Sequence, residues 1–147
     1  MNYDSYELLE NTLRLGGYSV TKQRRLVFEL LLKHEPQAMH ELYERSIGRL
    51  DRASLYRIIA LFERLGIVQK LSMGWKYKLE LSDMFTGHHH HITCLKCGRV
   101  IPIKEDLSIE RFITSIAQKH RVSAVKHQLE IQGYCNSCRE HDHPLTV

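Results

Sequence analysis

The stretch His88-His89-His90-His91-Ile92-Thr93-Cys94-Leu95-Lys96-Cys97 is the one around which this chain is organised. Four consecutive histidines run into a Cys-x-x-Cys pair, and a second pair, Cys135 and Cys138, follows near the end of the sequence. Thiolate and imidazole are the ligands Zn²⁺ prefers, so the two knuckles can close a tetrahedral site from Cys94, Cys97, Cys135 and Cys138. Two disulfides or inert core thiols are the alternative. All four cysteines fall into the two pairs and no secretory leader is visible, which weighs against it. The interval from Cys97 to Cys135 is too long for a simple zinc ribbon, so a folded element is expected between the knuckles.

The β-branched Ile92-Thr93 segment reads as strand, and the strand extends back over the histidines. Side chains then alternate, with His88 and His90 on one face and His89 and His91 on the other. One run of histidines can therefore serve two metal sites. A solvated polar loop is the competing reading.

Outward from this stretch, 147 residues allow one domain or two small ones, and 43% hydrophobic residues suffice for a core. No apolar run reaches membrane-span length, so a cytoplasmic chain with no membrane partner is expected. The net charge of +4, from 21 Lys+Arg against 17 Asp+Glu, is only a weak pull towards an anionic partner. The charge is spread evenly, so a case for nucleic acid must come from a motif.

Residues 3–15 read as a helix with Tyr6, Leu9 and Leu13 on one face, stopped by Gly16-Gly17. Thr21 is an N-cap for a second helix with Leu26, Val27, Leu30 and Leu31 as its stripe. Lys22, Arg24 and Arg25 gather near its start and suit a phosphate backbone, or an ordinary solvated face. After Pro36, Met39, Leu42, Tyr43 and Ile47 fall at helical spacing. Gly48-Arg49-Leu50 is a break, and Asp51 caps a fourth helix over 52–65 with Leu55, Ile58, Ile59, Phe62 and Leu65 inside. Its other face carries Arg52, Ser54, Tyr56, Arg57 and Arg64, groups that donate to phosphates and base edges. Gly66 ends it. Strands over 67–71 and 75–81, joined by a turn at Ser72-Met73-Gly74, complete the order of a winged helix-turn-helix.

A hinge is expected at 84–87. Beyond it come the histidine strand and a strand over 99–103. A helix over 107–120 follows, burying Ile109, Phe112, Ile113 and Ile116. The last strand, over 124–131, turns Val125, His127, Leu129 and Ile131 to one side. The predicted fold class is α+β. It has a winged-helix DNA-binding domain at 1–83 and a small α/β dimerisation and metal-binding domain at 88–147 with a Cys₄ zinc site. So short a second unit invites a metal staple and a dimer partner.

The ordered set Thr21-x-Gln23-Arg24, Glu41-Leu42-Tyr43, Ala53-Ser54-Leu55-Tyr56-Arg57, Leu61 and Gly66-Ile67-Val68 runs on through the histidines. Cys94-x-x-Cys97-Gly98, Ile109-Glu110, His127 and Gly133-x-Cys135-x-x-Cys138 complete it. In this the chain resembles the ferric uptake regulator (Fur) family over nearly its whole length. The resemblance implies a homodimeric, metal-responsive transcriptional regulator, usually a repressor, and not an enzyme. It implies a structural zinc site at Cys94, Cys97, Cys135 and Cys138, and a second metal site at His88, His90, Glu110 and His127. Many relatives have Asp where His90 stands.

The resemblance also implies a regulatory site containing His89 and His91. The family usually adds an acidic residue where Lys78 stands and a histidine where Pro36 stands. A protonated lysine is a poor ligand. Glu80, on the same side of the strand as Lys78, could substitute, and His34 or His40 could replace the imidazole. The tail Glu140-His141-Asp142-His143 could reach a metal, but a frayed terminus is the simpler reading.

Four histidines with no carboxylate among them favour Zn²⁺ over Fe²⁺ and leave Ni²⁺ open. The expected function is a repressor of metal-uptake genes acting on a palindromic, AT-rich double-stranded operator. Tyr56, Arg57, Ser54 and Arg52 would face the groove, with Arg24 and Arg25 on phosphates. The regulatory metal is read as Zn²⁺, placing the chain with zinc-uptake regulators of the family, with Fe²⁺ as the alternative. A zinc hydrolase is a further alternative, but the chain lacks a helical His-Glu-x-x-His pair. A zinc-ribbon protein adaptor is disfavoured by the intact recognition-helix pattern.

Overall fold

The computed structural model describes residues 3–34, 36–73, 76–125 and 127–139. The chain forms two compact units, Met1–Gly87 and His88–Val147. The first contains α1 (Tyr3–Leu15), α2 (Lys22–Lys33), α3 (Met39–Ser46), α4 (Arg52–Arg64), β1 (Val68–Met73), β2 (Lys76–Leu81) and a single turn, α5 (Asp83–Thr86). The second contains β3 (His89–Cys94), β4 (Val100–Lys104), α6 (Leu107–Lys119), β5 (Glu130–Gly133) and α7 (Asn136–Arg139). No helix among the described residues is long and apolar enough to cross a membrane.

The helices of the first unit begin where side chains can satisfy the orphan amides of a first turn. Thr21 Oγ1 accepts the Arg24 amide at 3.2 Å, and Asp51 Oδ1 accepts that of Ser54 at 2.9 Å. Ala38 has no such group, and Glu41 instead reaches back to the Ala38 amide at 2.6 Å. At the end of α4, Gly66 takes φ 69°, and the Ile67 amide closes on the Phe62 carbonyl at 2.8 Å. That left-handed turn is glycine's territory, and it redirects the chain from α4 into the wing.

Leu9 and Leu13 of α1, Val27 and Phe28 of α2, Leu42 of α3, Leu55 and Phe62 of α4 and Leu79 of β2 are all fully buried in one core. Phe28 lies off the stripe expected for α2, whereas Leu26 is only half-buried. The reason is that α2 touches α3, α4 and β2 at once, so its buried arc is wide. Phe28 meets the rings of Tyr6 and Phe85 edge-on, at centroid distances of 5.5 and 5.1 Å. Leu65 is half-buried and Ile47, beyond the last turn of α3, is 63% exposed; neither belongs to the core stripe expected of it.

The β1–β2 hairpin is antiparallel, with Gln69 opposite Glu80 and Met73 opposite Lys76. Ser72 and Met73 therefore belong to β1 and not to the turn. Gly74 and Trp75 lie outside the described residues, as does the segment 140–143. Across the segment expected as a hinge, Asp83–Thr86 form one helical turn. The Ser82 carbonyl accepts the Phe85 amide at 2.9 Å and starts that turn.

The second unit is a three-stranded sheet in the order β4-β3-β5, with β3 antiparallel to β4 and parallel to β5. The last strand is four residues, Glu130–Gly133, and not the longer 124–131. Val125 is 97% exposed and joins no strand. Helix α6 buries none of its residues, and Phe112 and Ile116 are 65% and 45% exposed, against the expectation from its apolar stripe. A sheet this small gives one face of the helix nothing to pack on within a single chain.

Candidate metal centres and nucleic-acid interface

The sheet register assembles the cysteine cluster. Cys94 closes β3 opposite Gly133 of β5, and the Leu95 amide donates to the Gly133 carbonyl at 2.8 Å. Cys135 follows two residues later, so the second knuckle arrives beside the first. The four Sγ atoms of Cys94, Cys97, Cys135 and Cys138 lie within 4.8 Å of one another, with Cys97 and Cys135 at 3.9 Å. All four are free thiols. A tetrahedral ion with bonds of about 2.3 Å needs sulfur–sulfur edges of about 3.8 Å, and the cluster fits that requirement.

The charges within the cluster point the same way. Amides of Cys135 and Cys97 donate towards Cys94 and lower its thiol to about 6. Cys138 is pushed up to about 12 by its hydrogen bond with Cys135, by burial, and by Cys97 and Cys94. Four sulfurs crowded together with no positive charge among them make each further thiolate costly. A divalent cation is the charge such a set accommodates.

The second cluster is built on the other end of β3. His88 Nε2 lies 2.9 Å from His127 Nε2, and His90 Nε2 lies 2.9 Å from Glu110 Oε1. The Glu110 carboxylate also reaches His88 Nε2 at 3.5 Å and His127 Nε2 at 3.2 Å. His90 is 1% exposed, and Glu110 comes from the first turn of α6, which Asp106 caps through the Ser108 amide at 2.7 Å. Burial raises the Glu110 carboxyl, but the His90 hydrogen bond and the charges of His127, His88 and His90 outweigh it and leave the group below its usual range. Three imidazoles converging on one carboxylate form an N₃O set that suits a tetrahedral divalent ion.

His89 and His91 form the opposite face of β3, with ring centroids 4.7 Å apart. In the first unit, Glu80 of β2 accepts from Gln69 Nε2 at 2.7 Å. His34 ends α2 and His40 sits in the first turn of α3; both are exposed, and within that unit neither joins a cluster of ligands among the described residues.

On α4, Tyr56 is 50% exposed, Arg52 and Arg57 are exposed, and Ser54 is half-buried. Arg57 donates to Ser54 Oγ at 3.1 Å, and Arg52 lies over the Tyr43 ring at 4.8 Å. Between α2 and α4 runs a cleft of about 240 Å³ lined by Thr21, Gln23, Arg24, Ser54 and Arg57. Thr21 and Gln23 are additions to the expected interface. Their position in Thr21-x-Gln23-Arg24, three residues and one residue before Arg24, is the signal the sequence offers for them. Arg24 and Arg25 differ. Arg24 lines the cleft, whereas Arg25 is held by Glu10 at 2.5 Å.

A winged helix joined to an α/β unit that gathers thiolates and imidazoles defines a metal-responsive DNA-binding regulator. Residues 16–132 match the sequence model of the ferric uptake regulator family, and the chain belongs to that family. It is a transcription regulator and not an enzyme, and regulators of this family bind DNA and act as dimers. The chain is 36% identical over 141 residues to the ferric uptake regulation protein of Escherichia coli K12, covering 89% of this chain and 92% of that one. The Vibrio cholerae ferric uptake regulator has a similar structure, with a TM-score of 0.72 and 32% identity over 86% of this chain and 98% of that one. A zinc-bound manganese uptake regulator is also similar, with a TM-score of 0.67 and 31% identity over 86% of this chain and 98% of that one.

Proposed function

We propose that this regulator represses metal-uptake genes in response to zinc. The observation that carries the reading is the histidine-rich strand β3: His89 and His91 share one face with ring centroids 4.7 Å apart, and on the other His88 and His90 meet His127 and Glu110, three nitrogens and one oxygen within 4.8 Å of one another. Zinc is commonly four-coordinate with nitrogen-rich ligands, whereas non-haem iron sites favour more oxygen and leave positions open. Iron response is the second reading, favoured by the names of relatives such as the Escherichia coli ferric uptake regulation protein.

In this reading Cys94, Cys97, Cys135 and Cys138 hold the structural Zn²⁺, and the second site holds another divalent ion. His89 and His91 form the regulatory set that the family resemblance implies, with Glu80 and one of His34 or His40 in place of the ligands the family usually has where Lys78 and Pro36 stand. Filling that set links the winged-helix domain at 1–83, through the segment 84–87, to the dimerisation domain at 88–147. The α4 helices of a homodimer are thereby held at the spacing of a palindromic operator. Tyr56 and Arg57 read bases, Ser54 and Arg52 support them, and Arg24 contacts the backbone. A cytoplasmic location follows from the need to reach DNA.

Binding-site selection from a random-sequence duplex pool, run with Zn²⁺ and separately with Fe²⁺, tests this. Enrichment of an AT-rich palindrome with Zn²⁺ is expected. Enrichment with Fe²⁺ alone moves the assignment to iron control.

A further inference from the structure

Tyr18 precedes α2, and two arginines converge on its ring. Arg24, from the first turn of α2, places its guanidinium carbon 5.4 Å from the ring centroid. Arg64, from the last turn of α4, places its own at 5.5 Å and donates from Nη2 to the Tyr18 hydroxyl at 2.5 Å. Arg24 also donates from Nη1 to the Ser19 carbonyl, which fixes its head beside the same ring. Arg57 stands seven residues before Arg64, on the same face of α4 and roughly 10 Å along its axis. Arg24 is common to both, since it lines the cleft with Arg57 and shares Tyr18 with Arg64.

Arg14 and Arg25 share the single charge of Glu10, and Lys70 pairs with Glu63 at 2.8 Å. Among the described residues no carboxylate stands within ion-pair distance of Arg24, Arg57 or Arg64, although Asp51 acts on Arg57 through space. Arg24 and Arg64, planar cations held beside Tyr18 next to the helix face that carries the candidate base-reading residues, suit the phosphates of a duplex.

We infer that Arg24 and Arg64 follow the DNA backbone beside the base-reading Arg57, with Arg64 a phosphate contact and Tyr18 the residue that positions Arg24 and Arg64. This rests on the reading of α4 as the DNA-facing helix, and it adds Tyr18 to the interface and gives Arg64 a definite role there while leaving Arg25 outside it. Phosphate contacts are independent of sequence, so no operator is needed to detect them.

The test uses the full-length, metal-replete protein and a fluorescent mixed-sequence duplex of about 30 base pairs, titrated between about 50 and 200 mM salt. Arg64→Ala and Arg24→Ala are each expected to reduce the slope of log affinity against log salt by about 0.9, the signature of one lost phosphate contact. Arg25→Ala leaves the slope unchanged. Tyr18→Leu, which releases both arginines, lowers the slope by at least as much as Arg64→Ala does. Tyr18→Phe keeps the ring packed and loses only the hydroxyl, so it weakens binding less and serves as the control should Tyr18→Leu fold poorly. A normal slope in Arg64→Ala, alongside weakened binding in Arg57→Ala, overturns the inference while leaving α4 on DNA. A loss in Arg64→Ala that Tyr18→Leu does not reproduce overturns the positioning role. Wild-type affinity and slope in all the variants, Arg57→Ala included, overturn the reading of α4 itself.

Discussion

The ring nitrogens His88 Nε2 and His127 Nε2 stand 2.9 Å apart although 39 residues separate them in the chain. A shared ion with bonds of about 2.0–2.1 Å would space them at about 3.3 Å, a shift of a few tenths of an ångström that side-chain rotation supplies. The second cluster is therefore already shaped for its ion. His127→Ala removes one of its four ligands and is expected to weaken binding there by more than about 100-fold, beyond the loss typical of an outer-shell residue. Elemental analysis after mild chelation should then show one metal fewer per chain, with the cysteine site still filled. Unchanged metal content would take His127 out of the ligand set.

The cysteine cluster should behave differently, because it joins β3 to the end of β5 and so staples the sheet. Structural zinc contributes on the order of 10–16 kcal/mol of apparent binding energy in small zinc-finger domains, enough to decide whether so small a unit folds. Cys135→Ser is expected to abolish retention of this metal and expose the amides of β3 and β5. Hydrogen exchange would show protection lost in the second unit and kept in α2 and α4. Protection kept in both units would mean the sheet holds together without its staple.

The limits of the sequence follow from the range over which each feature is determined. Thr21 and Asp51 mark their helices locally, through caps within three residues, and both helices start where those residues stand. The cysteine knuckles are legible for the same reason, since each pair is set by short spacing. Glu110 and His127 lie 20 and 39 residues from the histidines they meet, and only the family resemblance pointed to them. The alternation of Val125, His127, Leu129 and Ile131 imitates a strand, yet only Glu130–Gly133 pairs with β3 while His127 turns to His88 and Glu110. Arg24 and Arg25 cannot be separated by reading neighbours. Glu10, 15 residues before Arg25, separates them. The apolar stripe of α6 is real, but periodicity does not say whether the covering surface belongs to the same chain or to a second copy.

Phe28 offers a test of the first core. It is fully buried between Tyr6 and Phe85, and truncation leaves a cavity that three helices cannot easily close. Phe28→Ala is expected to cost about 3–5 kcal/mol in urea unfolding of the winged-helix unit. Phe85→Ala should cost clearly less, because Phe85 is only half-buried. Equal losses would show that the α5 turn is as much a part of the core as α2.

Asp51 connects the start of α4 to pH. The Ser54 hydroxyl and then the Ser54 amide, hydrogen-bonding to the carboxylate, hold it below the usual aspartate range, with Arg57 adding a smaller pull. A carboxyl depressed in the folded state adds stability above its unfolded value of about 3.9, and that stability is lost as pH falls through the folded value. Acid also strips metal from imidazoles and thiolates, so the wild type alone cannot isolate this contribution. Asp51→Asn keeps a capping oxygen but has no proton to gain. The difference in thermal midpoint between wild type and Asp51→Asn should be steady near neutrality and close as pH falls from about 6 towards about 3. Metal loss affects both proteins alike and cancels in that difference. A gap that stays constant across the range would mean that the carboxylate charge plays no part in starting α4, and that the cap works through its oxygen alone.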